Sequence, residues 1–304
     1  MKYAVLAGAL LMAAGCQPAP GGAPGASVPV ASGDRFGADA HLAPSRPDAV
    51  LRYADHPRGF AELRLPEGEG PFPLAVIFHG GCWKAGIANQ AYMAPLATRW
   101  QDLGIATLNV DYREVGDGGG WPGSFADWAA AGELVDRVVA DHPVDPARIT
   151  LVGHSAGALP AQWLAARQGT GGPLGPREPL AVRAAIVLDG PADVGAERAA
   201  FDALCEFSAV DPFIGGDPAA HPDRYGALGA GPLALEDLLF VQAVLPAAPP
   251  AVQAAIRAGG TRLQIRENPQ ASHFDILTPG AEAYRANEPA MLEVLLGQAA
   301  GRAK

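Results

Sequence analysis

Basic residues, cysteines and long apolar runs are all scarce in this sequence. Lysine and arginine together number 22 against 32 aspartates and glutamates, which gives a formal net charge of −10. Because the chain is acidic and carries no run of like charge, we do not expect a nucleic-acid partner. Its apolar residues lie in short segments broken by glycine and proline, and none reaches the roughly 20 consecutive positions that a membrane-spanning helix needs. We therefore do not expect an integral membrane protein.

Cofactor signals are missing as well. The sequence contains no His/Cys cluster with the spacing of metal ligands and no glycine-rich loop of the kind that binds phosphate, so neither a metal nor an organic cofactor is expected. The 304 residues are 49% hydrophobic and include 38 glycines and 29 prolines. That apolar content is enough to bury a substantial core, which excludes a disordered chain.

The N-terminal segment is predicted to carry the chain out of the cytoplasm. Lys2 precedes an apolar stretch, residues 4–14, that is too short to span a bilayer and is typical of an export signal. The sequence Ala-Ala-Gly-Cys ending at Cys16 resembles the lipobox of bacterial lipoproteins, and the following Gln17 is typical of those sent to the outer membrane. The resemblance implies a signal peptide over residues 1–15 and a lipid on Cys16 as the only membrane contact. An ordinary secretory signal is the alternative.

A tether and two further cysteines follow this predicted anchor. Residues 16–48, rich in proline and glycine, are predicted to join the anchor to a domain over residues 49–304. If Cys16 carries a lipid, only Cys82 and Cys205 remain. The oxidising compartment on the periplasmic side permits a disulfide between them, and two half-buried thiols are the alternative.

Residues 49–304 show the alternation of strands and helices that predicts an α/β fold. Short β-branched runs alternate with longer Ala/Leu-rich segments of helical period, as expected of a mostly parallel sheet with helices on both faces. The predicted strands are 60–65, 74–78, 106–110, 149–152, 184–188, 238–242 and 263–266, and the predicted helices are 125–141, 156–168 and 281–300. A surface loop is predicted at 169–179, and a Gly/Pro-rich insertion that would cap the site at 190–235.

A Gly-x-Ser-x-Gly motif runs from Gly153 to Gly157, with Ser155 at its centre. It follows the predicted strand 149–152 and opens a helical pattern, which is the setting of a nucleophile elbow. The two glycines permit a tight turn, and the serine then lies at a helix N-terminus whose amides favour developing negative charge. A glycine turn with a surface serine is the plainer alternative.

A second glycine motif, His-Gly-Gly-Cys-Trp at 79–83, follows the predicted strand 74–78. Glycines in this position let backbone N–H groups turn toward a ligand, as an oxyanion hole requires. Together the two motifs resemble the α/β-hydrolase superfamily, and most of all its branch of kynurenine formamidase-like and feruloyl or acetyl esterase-like enzymes. Asn-Val-Asp-Tyr-Arg at 109–113, Trp-Pro at 121–122 and Ala-Ser-His-Phe at 271–274 fall at matching places, so the resemblance covers residues 50–298.

The resemblance implies a serine esterase that acts on a small-molecule ester. Carried over by position, Ser155 is the nucleophile, His273 is the general base, and the amides of Gly81, Cys82 and Ala156 form the oxyanion hole. His273 also follows the last predicted strand, so the chain order of nucleophile before base is kept.

The acid of the triad is missing from its usual place. The family carries an Asp just after the strand that is 238–242 here, but no carboxylate occurs between Asp237 and Glu267. Some relatives supply the acid one strand earlier, where this sequence reads Asp189-Gly-Pro-Ala-Asp193, and we expect Asp193 to take the role. The alternatives are Glu206, Asp237, Glu267 and Asp275.

We therefore expect a hydrolase that cleaves carboxylic esters, including sugar esters, or small amides through an acyl-serine intermediate. Trp83 is expected to line the substrate pocket, whereas His79 and His154 are expected to support loop geometry. Four aromatic residues of the insertion either form a wall of the pocket or form the insertion's own core; they are Phe201, Phe207, Phe213 and Tyr225. Because the usual acid is missing, the alternative is a catalytically weak hydrolase-like domain that binds a ligand or partner.

Overall fold

The computed structural model describes residues 43–166, 181–226, 228, 233 and 235–297. The predicted signal peptide, the lipid on Cys16, residues 16–42 of the predicted tether and the predicted loop 169–179 lie outside the described residues. All described residues belong to one compact unit, Ser32–Lys304.

Within the described residues, eight strands form one mostly parallel sheet. The strands are β1 Ala49–Arg52, β2 Phe60–Arg64, β3 Phe72–Phe78, β4 Ala106–Val110, β5 Val144–His154, β6 Ala184–Leu188, β7 Asp237–Gln242 and β8 Arg262–Glu267. Their order across the sheet is β1-β2-β4-β3-β5-β6-β7-β8. β2 pairs antiparallel with β1 and β4, and every pair from β4 to β8 is parallel. The predicted α/β fold with a mostly parallel sheet is confirmed.

The helices lie between and after these strands. They are α1 Ala94–Asp102, α2 Gly123–Asp141, α3 Ala158–Ala166, α4 Arg198–Cys205, α5 Val210–Ile214, α6 Pro222–Gly226, α7 Pro250–Ala258 and α8 Glu282–Leu296. In the part of the chain that the structure describes, no helix is both long and apolar enough to cross a membrane.

Both faces of the sheet are covered because its central strands are apolar on both sides. Along β3, Leu74, Val76 and Phe78 pack on one face with α2 and α3, whereas Ala75 and Ile77 pack on the other with α1 and α8. Strands buried on two faces appear in a sequence as continuous apolar runs, as these do. Because the parallel strands share one direction, the segments after β3, β5, β6 and β8 meet at one edge of the sheet.

Most element positions follow the prediction, and the exceptions have local reasons. β4 and β6 have the predicted bounds, but the predicted helix 156–168 begins as a 3-10 turn, Ser155–Gly157, before α3. β1 was not predicted, since only four residues alternate between half-buried and exposed positions. α1 and α7 were missed as well, each being a helix of nine residues that starts beside a proline.

Candidate active site

Ser155 stands on a sharp turn between β5 and α3. β5 ends at His154, and Ser155 follows with φ of +54°, a left-handed conformation that residues with a Cβ adopt rarely. Contacts explain the two glycines of the motif, because a Cβ on Gly153 would lie 2.0 Å from the Gly157 oxygen and one on Gly157 would lie 2.2 Å from the Phe78 oxygen. This is the geometry of a nucleophile elbow.

The glycine turn after β3, residues 80–83, lies directly against this elbow. A Cβ on Gly80 would lie 2.8 Å from the Ser155 Cβ, so the approach needs glycine. Gly81 and Cys82 follow with φ of +116° and +54°, and both line the cavity that Ser155 lines. Among the described residues, the N–H groups of Gly81 and Cys82 donate no hydrogen bond. The turn therefore offers two unpaired donors at the wall of the cavity.

His273 lies on the segment after β8, and its partner is Asp189. The His273 Nδ1 is 2.7 Å from the Asp189 Oδ2. Asp189 is the first residue after β6, is fully buried and has φ of +43°. Because an ionised carboxylate only accepts, the Nδ1 atom donates, which leaves Nε2 of the imidazole to take up a proton.

Three consecutive backbone amides fix the carboxylate of Asp189. The amides of Ala243, Val244 and Leu245, which follow β7, donate to it at 2.9 to 3.1 Å. Burial acts to raise the pKa of Asp189, but the hydrogen bond and charge of His273 and the hydrogen bonds from these amides lower it below its ordinary value. The segment after β7, where the sequence lacks a carboxylate, thus supplies amides to Asp189, which follows the neighbouring strand β6.

The prediction that Asp193 orients His273 is wrong. Asp193 lies four residues past Asp189, and its carboxylate accepts a hydrogen bond from the Ala196 amide at 2.9 Å. Asp193 therefore shapes the turn into the insertion, whereas Asp189, directly after β6, contacts His273. The sequence signal for Asp189 is an Asp-Gly pair directly after a strand, because the sheet fixes the backbone at that point. A Cβ on Gly190 would lie 2.7 Å from the Ser155 oxygen.

Two of the alternative acids have other partners. Asp237 begins β7, at the opposite end of the sheet, and pairs with Arg183 at 2.7 Å and with Arg262. Asp275 accepts a hydrogen bond from the Ser272 amide at 2.8 Å. Both carboxylates therefore have partners other than His273.

A chain of hydrogen bonds joins the glycine turn to the segment of His273. The Gly80 amide donates to the hydroxyl of Tyr92, which lies 2.8 Å from His154 Nδ1, and His154 Nε2 lies 3.0 Å from the carbonyl oxygen of His273. Because the carbonyl only accepts, His154 donates from Nε2 and accepts at Nδ1. Burial, then the charge of His273, lowers the pKa of His154 well below its ordinary value. His154 is a neutral connector, in line with the expectation that it supports loop geometry.

A buried charged cluster lies beneath the glycine turn. Arg58 contacts Asp111 and Glu114, each at 2.8 Å, and His79 Nε2 lies 3.1 Å from Asp111. A Cβ on Gly81 would lie 3.2 Å from the Glu114 Oε1. Burial raises the pKa of Glu114 to about 7, although the charges of His79 and Arg58 act to lower it. The cluster supports the turn from below.

Trp83 does not line the cavity, contrary to the prediction. Its side chain is fully buried, with its ring centroid 4.6 Å from that of Phe213 and 4.8 Å from that of Phe201. Its Nε1 donates to the carbonyl oxygen of Ala156 at 3.0 Å. The indole therefore connects the glycine turn, the elbow and the insertion, and the large hydrophobic side chain is used for packing.

Ser155 and His273 line a cavity of about 1320 Å³. Both the insertion and the segment after β8 contribute apolar and polar side chains to its lining. The lining includes the apolar Ile87, Leu204, Phe207 and Phe274, the polar Asn268, Gln270, Ser272 and Thr278, and the acidic Glu206, Asp275 and Glu282. No lysine or arginine occurs among the described lining residues. A cavity of this size admits a small-molecule ligand, and its charges disfavour an anion.

Cys82 and Cys205 form a disulfide, which is one of the two states that the sequence left open. The bond joins the glycine turn to the last residue of α4, 123 residues further along the chain. Both cysteines line the cavity.

Among the described residues, no group of three or more His, Cys, Asp or Glu side chains is placed to hold a metal ion.

Comparison with known proteins places this architecture among esterases. A probable isoprenylcysteine alpha-carbonyl methylesterase of Arabidopsis thaliana is 33% identical over 111 residues, which are 35% of this chain and 22% of that protein. The chain spans less than a quarter of the length of the curated relatives it matches.

Two solved structures have the same fold. A thermophilic esterase from Thermogutta terrifontis, with butyrate bound, has a TM-score of 0.62 at 18% identity over 84% of this chain and 96% of its own. A carbohydrate esterase from gut microbiota has a TM-score of 0.60 at 17% identity over 84% and 99%.

These similarities define the class as an esterase-like hydrolase of the α/β-hydrolase fold. The family model named BD-FAE matches residues 62–228, more than half of the 304 residues. The chain belongs to the BD-FAE family.

Proposed function

We propose that this protein is a serine carboxylic ester hydrolase with Ser155 as nucleophile, His273 as general base and Asp189 as the acid that orients the base. One observation carries the proposal: His273 Nδ1 contacts Asp189 Oδ2 at 2.7 Å, and Ser155 and His273 line the same cavity. The alternative of a domain that only binds a ligand rested on a missing acid. Because Asp189 contacts His273, an acid is present at that position, and this argument for the alternative no longer holds.

Acylation begins when Ser155 attacks the ester carbonyl carbon. Its hydroxyl proton passes to Nε2 of His273, and the imidazolium that forms is stabilised by the Asp189 carboxylate at Nδ1. Collapse of the tetrahedral intermediate breaks the bond to the alcohol, which takes the proton from Nε2. A water molecule, activated by the same nitrogen, then hydrolyses the acyl-serine and restores the enzyme.

The oxyanion of the tetrahedral intermediate is bound by backbone amides. The unpaired N–H groups of Gly81 and Cys82 and the amide of Ala156, the residue after the nucleophile, are the proposed donors. Removal of one such donor costs about 10² to 10³ in kcat in serine hydrolases. Even a small displacement of the turn should therefore be measurable as a change in rate.

The proposed substrates are neutral carboxylic esters with short acyl groups, including acyl esters of sugars. The cavity has acidic lining residues and polar ones such as Asn268 and Gln270, which can hydrogen-bond to hydroxyl groups. The butyrate-bound esterase and the carbohydrate esterase of similar fold support the same choice. Small amides are a slower class for the same chemistry.

Labelling with a fluorophosphonate probe tests the proposal, together with hydrolysis of p-nitrophenyl acetate. The wild-type protein should be labelled once, and Ser155→Ala should abolish both labelling and hydrolysis. Ser208→Ala is the matched control, because Ser208 is exposed and does not line the cavity. Equal labelling of wild type and Ser155→Ala, or an unlabelled and inactive wild type, would overturn the proposal.

We also propose that the protein acts outside the cytoplasm, on the periplasmic side at the outer membrane, through a lipid on Cys16. The apolar N-terminal stretch and the Ala-Ala-Gly-Cys sequence support this location. The Cys82–Cys205 disulfide is in keeping with an oxidising compartment. Metabolic labelling with a fatty-acid analogue should mark the wild type and not Cys16→Ala. Equal labelling of the two would contradict the anchor.

A further inference from the structure

The glycine turn holds three consecutive residues with positive φ, and two of them are not glycine. Gly81, Cys82 and Trp83 have φ of +116°, +54° and +52°. Left-handed conformations are unfavourable for residues with a Cβ, so they persist only where surrounding contacts hold them. The turn that would bind the oxyanion therefore depends on its neighbours for its shape.

Two backbone hydrogen bonds give local support on one side of the turn. Lys84 donates to the Gly81 oxygen at 3.0 Å, and Val115 donates to the Trp83 oxygen at 2.8 Å. The first bond closes a turn with Cys82 and Trp83 at its centre, whereas the Cys82 N–H itself is unpaired in the described structure. One hydrogen bond therefore holds the peptide group that carries the Cys82 N–H, and the Cys82 side chain adds a second, covalent support.

That side chain is bonded to the insertion. Cys82 is joined to Cys205, which is the nearly buried last residue of α4. The helix itself is fastened to the end of β6, because Glu197 accepts hydrogen bonds from the amides of Ala192 and Asp193 at 2.8 and 2.7 Å. The disulfide, α4 and these two hydrogen bonds therefore connect Cys82 to the segment after β6, which begins with Asp189.

We propose that Cys205 is a positioning residue, and that its disulfide holds the Cys82 amide in place to bind the oxyanion. This inference rests on the proposed function. It predicts that opening the disulfide lowers kcat and leaves KM nearly unchanged, because the oxyanion develops only in the transition state. A disulfide that merely stabilises the fold would affect neither constant in protein that stays folded.

Controlled reduction is the direct test. Dithiothreitol transfers two electrons and two protons to the disulfide, giving the thiols of Cys82 and Cys205 and the cyclic oxidised reagent. Intact mass and a thiol count that rises by two report completion, and circular dichroism reports the fold. We expect kcat for p-nitrophenyl acetate to fall about tenfold or more, with KM within about threefold. Reoxidation should restore the rate.

Variants separate positioning from stability. Cys82→Ala/Cys205→Ala should show the reduced rate in the absence of reductant and no further loss in its presence. Arg198→Ala is the matched control, because it removes the 2.7 Å pair with Asp211 between α4 and α5 but keeps the disulfide. It should lower stability and keep kcat within about twofold.

Three results would overturn the inference. These are a folded, reduced protein with unchanged kcat, a rise in KM alone, and activity that is lost only in step with the helical signal. The oxidised wild type is assayed first to separate this inference from the proposed function. An inactive, unlabelled oxidised protein contradicts the proposed function, whereas an active one that is insensitive to reduction contradicts the positioning role alone.

Discussion

The two sides of the candidate site are held in different ways. Ser155 and Asp189 each follow a strand directly, so the hydrogen-bonded sheet fixes their backbones. The glycine turn also follows a strand, but its last residues are joined to the insertion by a disulfide and by contacts of the Trp83 ring with aromatic rings there. The sheet thus positions Ser155 and Asp189, while the insertion supports the turn whose amides are the proposed oxyanion donors.

The two modes of support predict different responses to substitution. Substitutions on the sheet side should alter the chemistry without moving the backbone, because the strands remain paired. Substitutions on the insertion side should act through geometry.

The largest effect is expected on the sheet side, from Asp189→Asn. Loss of the carboxylate removes the charge that stabilises the His273 imidazolium, so kcat/KM should fall by about 10³ to 10⁴. Asp193→Asn, the matched control on the same segment, should change kcat/KM by less than about threefold. Steady-state kinetics of both variants measures the change. A large loss of kcat/KM in Asp193→Asn with a small loss in Asp189→Asn would contradict Asp189 as the acid.

Tyr92→Phe probes the link between the two sides. Its hydroxyl joins the Gly80 amide to His154, so the variant leaves a buried N–H and an imidazole nitrogen unpaired. We expect kcat to fall about tenfold and the unfolding free energy to drop by about 1 to 3 kcal/mol. Tyr225→Phe, which removes a hydroxyl of the insertion from Asp211, should lower stability alone. Equal kcat in both variants would show that the link is not needed.

Substrate charge tests the acidic lining of the cavity. A p-nitrophenyl hemisuccinate and a p-nitrophenyl butyrate have similar length and differ in a carboxylate. Glu206, Asp275 and Glu282 line the cavity, so the anionic ester should have a kcat/KM lower by about tenfold, with the gap narrowing at high salt. Similar values for the two esters would show that the acyl group does not meet these side chains.

The smallest effect concerns stability and pH beneath the glycine turn. Burial raises the pKa of Glu114 from 4.5 to about 7, so between these values the folded protein binds more protons than the unfolded chain. The contribution of Glu114 to stability must therefore fall as the pH rises from about 4.5 to 7. Glu114→Gln should reduce the loss of melting temperature between pH 5 and pH 8 by about 2 °C or more.

The exposed Glu133 offers the control for that measurement. Glu133→Gln should leave the pH dependence of the melting temperature unchanged, because an exposed carboxyl contributes no burial penalty. An unchanged pH dependence in Glu114→Gln would contradict the stated role of burial.

Local patterns explain why much of the site could be predicted from the sequence. The elbow around Ser155 and the glycine turn are set by residues next to each other in the chain, and a strand and a helix flank the elbow. His273 was found because it follows the last strand. The fold was predicted for the same reason, since strands buried on both faces are visible as apolar runs.

Contacts between distant residues explain the errors. Asp189 was passed over for Asp193 although the end of β6 was predicted correctly, because the choice depends on the amides after β7 and on the position of His273, all more than 50 residues away. Trp83 was placed in the pocket because only the folded insertion shows what covers its ring. The state of Cys82 and Cys205 stayed open because their spacing in the sequence does not determine whether the two side chains meet.

Trapping of the acyl-enzyme tests whether Ser155 is the nucleophile. Rapid mixing with p-nitrophenyl acetate should release a burst of nitrophenol, and acid quenching should leave one acetyl group on the peptide that contains Ser155. The Asp189→Asn variant should show a far slower burst with the same site of acetylation. Turnover without an acetyl group on Ser155, or acetylation of another residue at a rate equal to turnover, would contradict a Ser155–His273–Asp189 esterase.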